Sequence, residues 1–411
     1  MNLFATLYCR TVQFITNKIV MPFVYFPEPK KISGAGSLDT IPSWLKEEHY
    51  FCPFVLTGRH FEHSEAGVRF FTKLTGLYPN AVTFDEIPPN PTFDSIYAAY
   101  YSAKKTNCDV IVAIGGGSVI DAAKAVGALL ANPRRPLSKM KGVLKIRHHL
   151  PMLLAIPTTA GTGSEATVAA VVTDSKTHDK FAINDPHLIP KIAVLDDTLL
   201  SSLPPSLIAS TGMDALTHAV EAYLGNALTK KTSSYALQSV RLIHDNLLDF
   251  YHDPSNASAR QNMQEASYLA GVAFTRSYVG YVHAIAHSLG GAYNVPHGFA
   301  NAVILPYVLR AYGKKAEKKL ARLSDVAKLT EYGETREKKA EAFVSWIEKA
   351  NEAMGIPKQF HQVIQPKDIP LLARHAAKEA NPLYPVPKEF SAHQLTFIYK
   401  ELDDEFKNEN H

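Results

Sequence analysis

A parallel α/β domain followed by an all-helical domain is the fold class this sequence predicts, on three observations. Between residues 24 and 197, short β-branched runs alternate with helical stretches, the pattern of a parallel sheet covered by helices. After residue 199 the β runs almost vanish, and Ala, Leu and amphipathic periodicity take over. Between the two regimes, DDTLLSSLPP at 196–205 supplies a polar turn, two prolines and a fresh helix start. A chain of 411 residues suits two or three domains at about 150 residues each. The expected organisation is an N-terminal extension at 1–26, an α/β domain at 27–197 and a helical domain at 198–411.

In order along the chain, the first 26 residues are apolar, carry Arg10 and Lys18, and contain no acidic residue before Glu28. Arg10, Gln13, Asn17 and Lys18 break the apolar runs, which fall short of the ~20 residues that span a bilayer. No small-residue cleavage site follows a clean apolar core. The segment is expected to be a docking arm or amphipathic helix, with a membrane-surface anchor as the weaker reading. The clearest strands are 54–57, 109–114, 153–156 and 192–195. Residues 233–251 and 257–273 read as helices, and the mixed Lys and Glu run at 314–339 reads as solvated helix faces.

Composition excludes several classes of function. Forty-three basic residues against 39 acidic ones give a net charge of +4, too weak for nucleic acid as the main partner. Three isolated cysteines, Cys9, Cys52 and Cys108, form neither a disulfide framework nor a CxxC site, so a reducing cytoplasm is the expected compartment. No stable membrane insertion is expected.

The segment CDVIVAIGGGSVIDAAKAVGALL reads as strand, glycine turn and helix. Gly115, Gly116 and Gly117 let backbone turn tightly and approach a ligand, and the N–H groups of a helix start attract a pyrophosphate. Ser118 is positioned to cap the helix or bind phosphate, and Asp121 is expected in the first turn, where a carboxylate suits the dipole. Such turns also serve close strand–helix packing alone, and the pattern is neither GxGxxG nor GxxxxGK[ST]. A second turn, IPTTAGTGSEAT at 156–167, supplies two glycines and the hydroxyls of Thr158, Thr159, Thr162, Ser164 and Thr167. Two such turns at neighbouring strand ends favour a nucleotide site.

In the helical half, Asp214 and His218 stand four apart in STGMDALTHAVEAYLGN, as do His283 and His287 in GYVHAIAHSLGGAYNVPHG, where His297 follows a turn. Residues i and i+4 share a helix face, so one Asp and three His can converge on one ion. Imidazoles with a carboxylate suit Fe²⁺ or Zn²⁺ rather than Mg²⁺ or Ca²⁺, and leave one histidine for proton transfer. Taken singly, each histidine is more often a helix-face or core residue than a ligand. A nucleotide half joined to a metal half points to hydride chemistry, in which the cation polarises a carbonyl beside a nicotinamide. The basic phosphate clamps and acidic Mg²⁺ ligands of a kinase are not evident.

Through GGGSVID, PTTAGTGSE, DALTHAVEAY and HAIAHSLGGAYNVPHG, the sequence resembles the iron-containing (group III) alcohol dehydrogenase family, from about residue 30 to the last helices. The resemblance implies the dehydroquinate synthase-like fold: a Rossmann-like N-terminal domain that binds the dinucleotide and a helical C-terminal domain that holds one divalent metal. Carried over by motif, the metal ligands are Asp214, His218, His283 and His297, and His287 lies near the substrate as a proton relay. Gly116, Gly117, Ser118 and Asp121 match the phosphate turn. Thr158, Thr159 and Thr167 match the second cofactor turn, and Asn90, Lys180 and Leu199 match further cofactor contacts.

One departure bears on the cofactor. Family members that prefer NAD carry an Asp after the first strand, whereas here FVLTGRH places Gly58 and Arg59. Loss of the carboxylate and gain of a guanidinium favour a 2′-phosphate, so NADP(H) is expected over NAD(H); an exposed Arg59 without this role is the alternative. The resulting expectation is a cytoplasmic, homodimeric, metal-dependent NAD(P)(H) oxidoreductase that interconverts primary alcohols and aldehydes, chiefly reducing aldehydes with NADPH. The rivals are a glycerol-type polyol dehydrogenase, a dehydroquinate-synthase-like lyase and a non-catalytic nucleotide or metal sensor. The apolar surroundings of 283–306 favour a small substrate of low polarity.

Overall fold

The structure is a computed structural model and describes residues 1–175 and 180–403. The polypeptide divides into two units, Tyr25–Leu203 and a second made of Met1–Val24 with Pro204–His411.

Within Tyr25–Leu203, six strands form one parallel sheet: β1 (Lys30–Ser33), β2 (Pro53–Thr57), β3 (Val82–Phe84), β4 (Val110–Gly115), β6 (Met152–Pro157) and β9 (Ile192–Leu195). Their order is β1-β9-β6-β4-β2-β3. A smaller sheet joins β5 (Gly142–Val143), β8 (Lys180–Asn184) and β7 (Ala169–Thr173). The central strands read as unbroken apolar runs because both faces are covered. On one face Leu56, Ile111, Ala113, Leu153 and Ala155 pack against α5 (Phe93–Lys105) and α6 (Gly117–Ala131). On the other, Val55, Val112, Ile114, Leu154 and Val194 meet Leu45, Phe70 and Leu74 of α2 (Ile41–Glu47) and α4 (Glu65–Leu77). Alternate side chains of each strand thus serve opposite layers. Short α3 (Arg59–Glu62) follows β2. The 3-10 turn Asp197–Leu200 stays with the sheet unit because Asp196 accepts from Gly36, Leu38 and Thr198 N–H groups; the unit therefore ends a few residues beyond the expected 197.

The second unit is helical. Its α1 (Leu3–Phe14) is followed, after the sheet unit, by α7 (Pro205–Leu224), α8 (Lys230–His252), α9 (Ala257–Ser277), α10 (Tyr281–Tyr293), α11 (His297–Tyr312), α12 (Lys314–Ala327), α13 (Arg336–Ala353), α14 (Ile369–Ala380) and α15 (Ala392–Glu401). Most of α7 is buried on every side, as expected of a helix that packs on α8, α9 and α11 together. By contrast α8 is amphipathic, and a Thr229–Thr232 capping box fixes its start. The N-terminal segment packs on this unit: Arg10 pairs with Glu389 at 2.6 Å and donates to the Val386 and Pro387 carbonyls, and Gln13 donates to the Tyr384 carbonyl. Leu3, Phe4, Leu7, Tyr8 and Phe14 remain exposed on its outer face. Among the described residues, no helix is long and apolar enough to cross a membrane.

Candidate metal centre and nucleotide turns

In the sheet unit, β4 and β6 are neighbours, so the two glycine turns emerge side by side. Each glycine has a distinct reason. A Cβ at Gly115 would stand 2.7 Å from Val119, and one at Gly117 would stand 2.7 Å from Thr162, so these two glycines let strand, helix and second turn close on each other. Gly116 has room, with Thr159 3.6 Å from a Cβ placed there, and is the turn position free to face a ligand. Gly116, not Ser118, is the N-cap of α6. Ser118 Oγ accepts the Asn90 N–H at 3.3 Å, and Lys180 Nζ donates to Asn90 Oδ1 at 3.0 Å. Asn90 has φ 59°, a left-handed conformation that Asn tolerates. The structure thus gathers Asn90, Ser118, Lys180, Gly116 and Thr159 at one place.

Asp121 differs from expectation. With Gly117 as the first helical residue it lies beyond the first turn, and its carboxylate accepts from Ser164 Oγ at 2.5 Å and Val171 N–H at 2.9 Å. Thr167 also faces inward. Buried Lys124, not singled out from the sequence, donates to Ser164 Oγ, Thr167 Oγ1 and the Thr167 and Ala169 carbonyls at 2.7–3.0 Å, and lies 3.9 Å from Asp121. Burial brings the Lys124 ammonium down to about 8, with Asp121 and Glu165 opposing the shift. Asp121 and Thr167 hence hold the second turn onto α6. Thr158 N–H donates to the Gly115 carbonyl and ties the turns together. Gly58 caps α3, Arg59 is exposed 3.7 Å from Glu86, and Leu199 packs against the sheet core.

In the helical unit, Asp214 Oδ1 is the hub. It lies 3.9 Å from His218 Nδ1, 3.8 Å from His283 Nε2 and 3.6 Å from His297 Nε2. Tetrahedral ligands at about 2.0–2.1 Å from an ion stand about 3.4 Å apart, so these separations fit a cation after a small contraction. Asp214, His283 and His297 form a group whose ligating atoms lie within 4.8 Å of one another. His218 stands beside this group, its ring stacked between Phe274 at 4.1 Å and His283 at 4.5 Å. Gly298 permits the approach of α11 to α7, since a Cβ there would stand 2.3 Å from the Ser210 carbonyl.

Glu221, three residues beyond His218 on the same helix, orients the set. Its carboxylate accepts from Gly280 N–H at 2.7 Å, Val282 N–H at 2.8 Å and His283 Nδ1 at 2.6 Å, so it caps α10 and leaves the His283 Nε2 lone pair facing the hub. Burial pushes Glu221 up to about 7, against the pull of these donors. Burial and the neighbouring imidazoles keep His283 well below its ordinary value and therefore neutral, as a ligand must be. His287 stacks on His297 at 5.1 Å, and its Nδ1 lies 2.7 Å from Glu379 Oε1, which also accepts from Tyr384 Oη at 3.0 Å. Desolvation lowers the His287 value, but Glu379 outweighs it and the net shift is upward.

Sequence reasoning missed Glu221, Asn301, Glu379, Tyr384 and Lys124. Glu221 had a signal in the i, i+4, i+7 series Asp214, His218, Glu221, and Asn301 lies four residues after His297 on one helix face. Glu379 and Tyr384 lie about 90 residues from the helix they support and carry no local pattern.

Comparison with known proteins identifies the family. Residues 28–197 match the family model described as iron-containing alcohol dehydrogenase, and residues 208–402 match that of the C-terminal part of the Fe-containing alcohol dehydrogenase family. The chain is 35% identical over 377 residues to alcohol dehydrogenase 4 of Saccharomyces cerevisiae, covering 92% of this chain and 97% of that protein. It is 36% identical over 323 residues to 1,3-propanediol dehydrogenase of Citrobacter freundii, covering 78% and 83%. A crystal structure of a 1,3-propanediol oxidoreductase superposes with a TM-score of 0.87 at 30% identity, covering 92% of this chain and all of that one. With both units matched by family models and the donor set in place, the chain belongs to the iron-containing alcohol dehydrogenase family and is an alcohol–aldehyde oxidoreductase.

Proposed function

We propose that this enzyme holds one divalent cation, iron or zinc, on Asp214, His218, His283 and His297, and reduces small aldehydes of low polarity to primary alcohols with NADPH. The convergence of the three imidazoles on Asp214, with His283 fixed by Glu221, carries this reading. A bound cation supplies Lewis acidity at the substrate oxygen, and the dinucleotide supplies the hydride. His287 contributes the proton: Glu379 holds Nδ1, which leaves Nε2 to serve the alcohol oxygen. Gly116, Gly117, Ser118, Thr158, Thr159, Asn90, Lys180 and Leu199 are assigned to the cofactor side, while Asp121 and Thr167 support the turn from behind.

The preference for NADPH rests on Gly58 and Arg59, where a guanidinium replaces a ribose-binding carboxylate. Glu86, 3.7 Å from Arg59, competes for that guanidinium. We place the enzyme in the cytoplasm as a homodimer, the commonest closed assembly.

The test is oxidation of NADPH and of NADH by metal-stripped protein given an aldehyde panel, with Fe²⁺ or Zn²⁺ restored, beside His297→Ala. Metal-restored turnover that the variant lacks is the expected result. An Arg59→Ala change should raise KM for NADPH about tenfold and leave NADH unaffected. Cofactor binding without turnover on any aldehyde overturns the assignment in favour of a sensor or a lyase, and faster turnover with NADH removes the NADPH preference.

A further inference from the structure

At the centre of the donor set sits a side chain that no metal motif includes. Asn301 is fully buried in α11, one turn after His297. Its Nδ2 donates to Asp214 Oδ1 at 2.7 Å and lies 3.2 Å from His297 Nε2 and 3.3 Å from His283 Nε2. One amide nitrogen therefore faces three of the groups that would bind a cation. It has two hydrogens, so it cannot serve all three acceptors fully. At the other end of the carboxamide, Oδ1 is buried with no hydrogen-bond partner among the described residues, an arrangement that is destabilising where it persists.

These facts have one economical explanation. The two ends of a carboxamide have nearly the same shape, and rotation about Cβ–Cγ is soft, so a half-turn exchanges them without displacing neighbours. An amide N–H₂ suits a cluster of bare acceptors and opposes a cation. An amide oxygen does the reverse: beside Asp214 Oδ1 it is repelled unless a positive charge lies next to both. We infer that Asn301 is a positioning residue of the metal centre, which pins Asp214, His283 and His297 through Nδ2 before the ion arrives and turns Oδ1 to the ion once it binds. The inference rests on the metal-centre reading and adds to it a neutral oxygen donor, compatible with the carboxylate and imidazoles of a borderline divalent site.

The experiment uses full-length, metal-stripped protein titrated with Co²⁺, whose visible absorption reports the number and kind of donors. The comparison is between wild type, Asn301→Ala, Asn301→Leu and Asn301→Asp, with thermal melting of each metal-free form as the folding control. Leu preserves the volume, should Ala collapse the site. Wild type is expected to bind Co²⁺ with a defined band. Ala and Leu are expected to bind 10- to 100-fold more weakly with an altered band. Asp retains an oxygen donor and is expected to keep wild-type affinity or better, while its metal-free form melts earlier because two carboxylates then face each other. Affinity and spectrum unchanged in Ala and Leu would overturn the role of Asn301 and leave the metal centre standing. Loss in Asp equal to that in Ala would overturn the oxygen-donor role. Failure of wild type to take up Co²⁺ would overturn the metal centre itself, and Asn301 with it.

Discussion

Glu221 Oε2 lies 2.6 Å from His283 Nδ1, and the same carboxylate takes the Gly280 and Val282 N–H groups at the start of α10. One side chain thus sets the tautomer of an inferred ligand and the position of the helix that carries it. Replacing it with Gln keeps the size, removes the charge and halves the accepting capacity. Glu221→Gln is expected to weaken divalent-metal affinity 10- to 100-fold with only a small loss of helicity. Chelator competition followed by metal analysis, beside far-ultraviolet circular dichroism, checks both.

Lys124 is the sole buried ammonium among the described residues, and it ties α6 to the second turn through three contacts and to β7 through a fourth. Lys124→Met keeps the stem and deletes the charge, which leaves the half-buried Asp121 carboxylate without its cation. The expected loss is about 3 kcal/mol in urea unfolding. Because the turn then loosens, KM for the dinucleotide should rise more than kcat falls. A variant with wild-type stability would show that the contacts are dispensable.

Glu165, at 2% exposure, is pushed up to about 7 by burial, with its own backbone N–H and Lys124 pulling the other way. A raised carboxyl value means that the folded state holds the proton more tightly than the unfolded state. Its contribution is therefore full below about 4.5 and is lost as pH rises towards 7, by up to about 3 kcal/mol. Glu165→Gln, which is neutral throughout, should match wild type near pH 4.5 and exceed it increasingly up to pH 7. Unfolding midpoints at four or five pH values decide it; a constant difference would refute the assignment.

Much of this was legible in the sequence. The strands expected at 54–57, 109–114, 153–156 and 192–195 are largely apolar runs because helices cover both sheet faces, and such runs announce themselves. Helices α8 and α9 followed from amphipathic periodicity. The pairs Asp214/His218 and His283/His287 stood out because i, i+4 spacing makes neighbours of residues on one helix, whereas His297 follows a turn and entered the set through the family resemblance. Asp121 lies beyond the first turn in which helix position placed it, and Ser164 and Val171, 43 and 50 residues onward, capture its carboxylate. Asn301 was passed over because a neutral amide carries no metal signature until its distances to three acceptors are known.

The N-terminal helix also matters beyond its own packing. Arg10 and Gln13 grip the backbone of 384–387, and Arg10 holds Glu389. Tyr384, at one end of that stretch, reaches Glu379 and through it His287. The family models begin at residue 28, so a chain trimmed to the family boundary would retain every inferred ligand while losing the splint behind His287. The segment that looks most like an appendage is thus mechanically in series with His287.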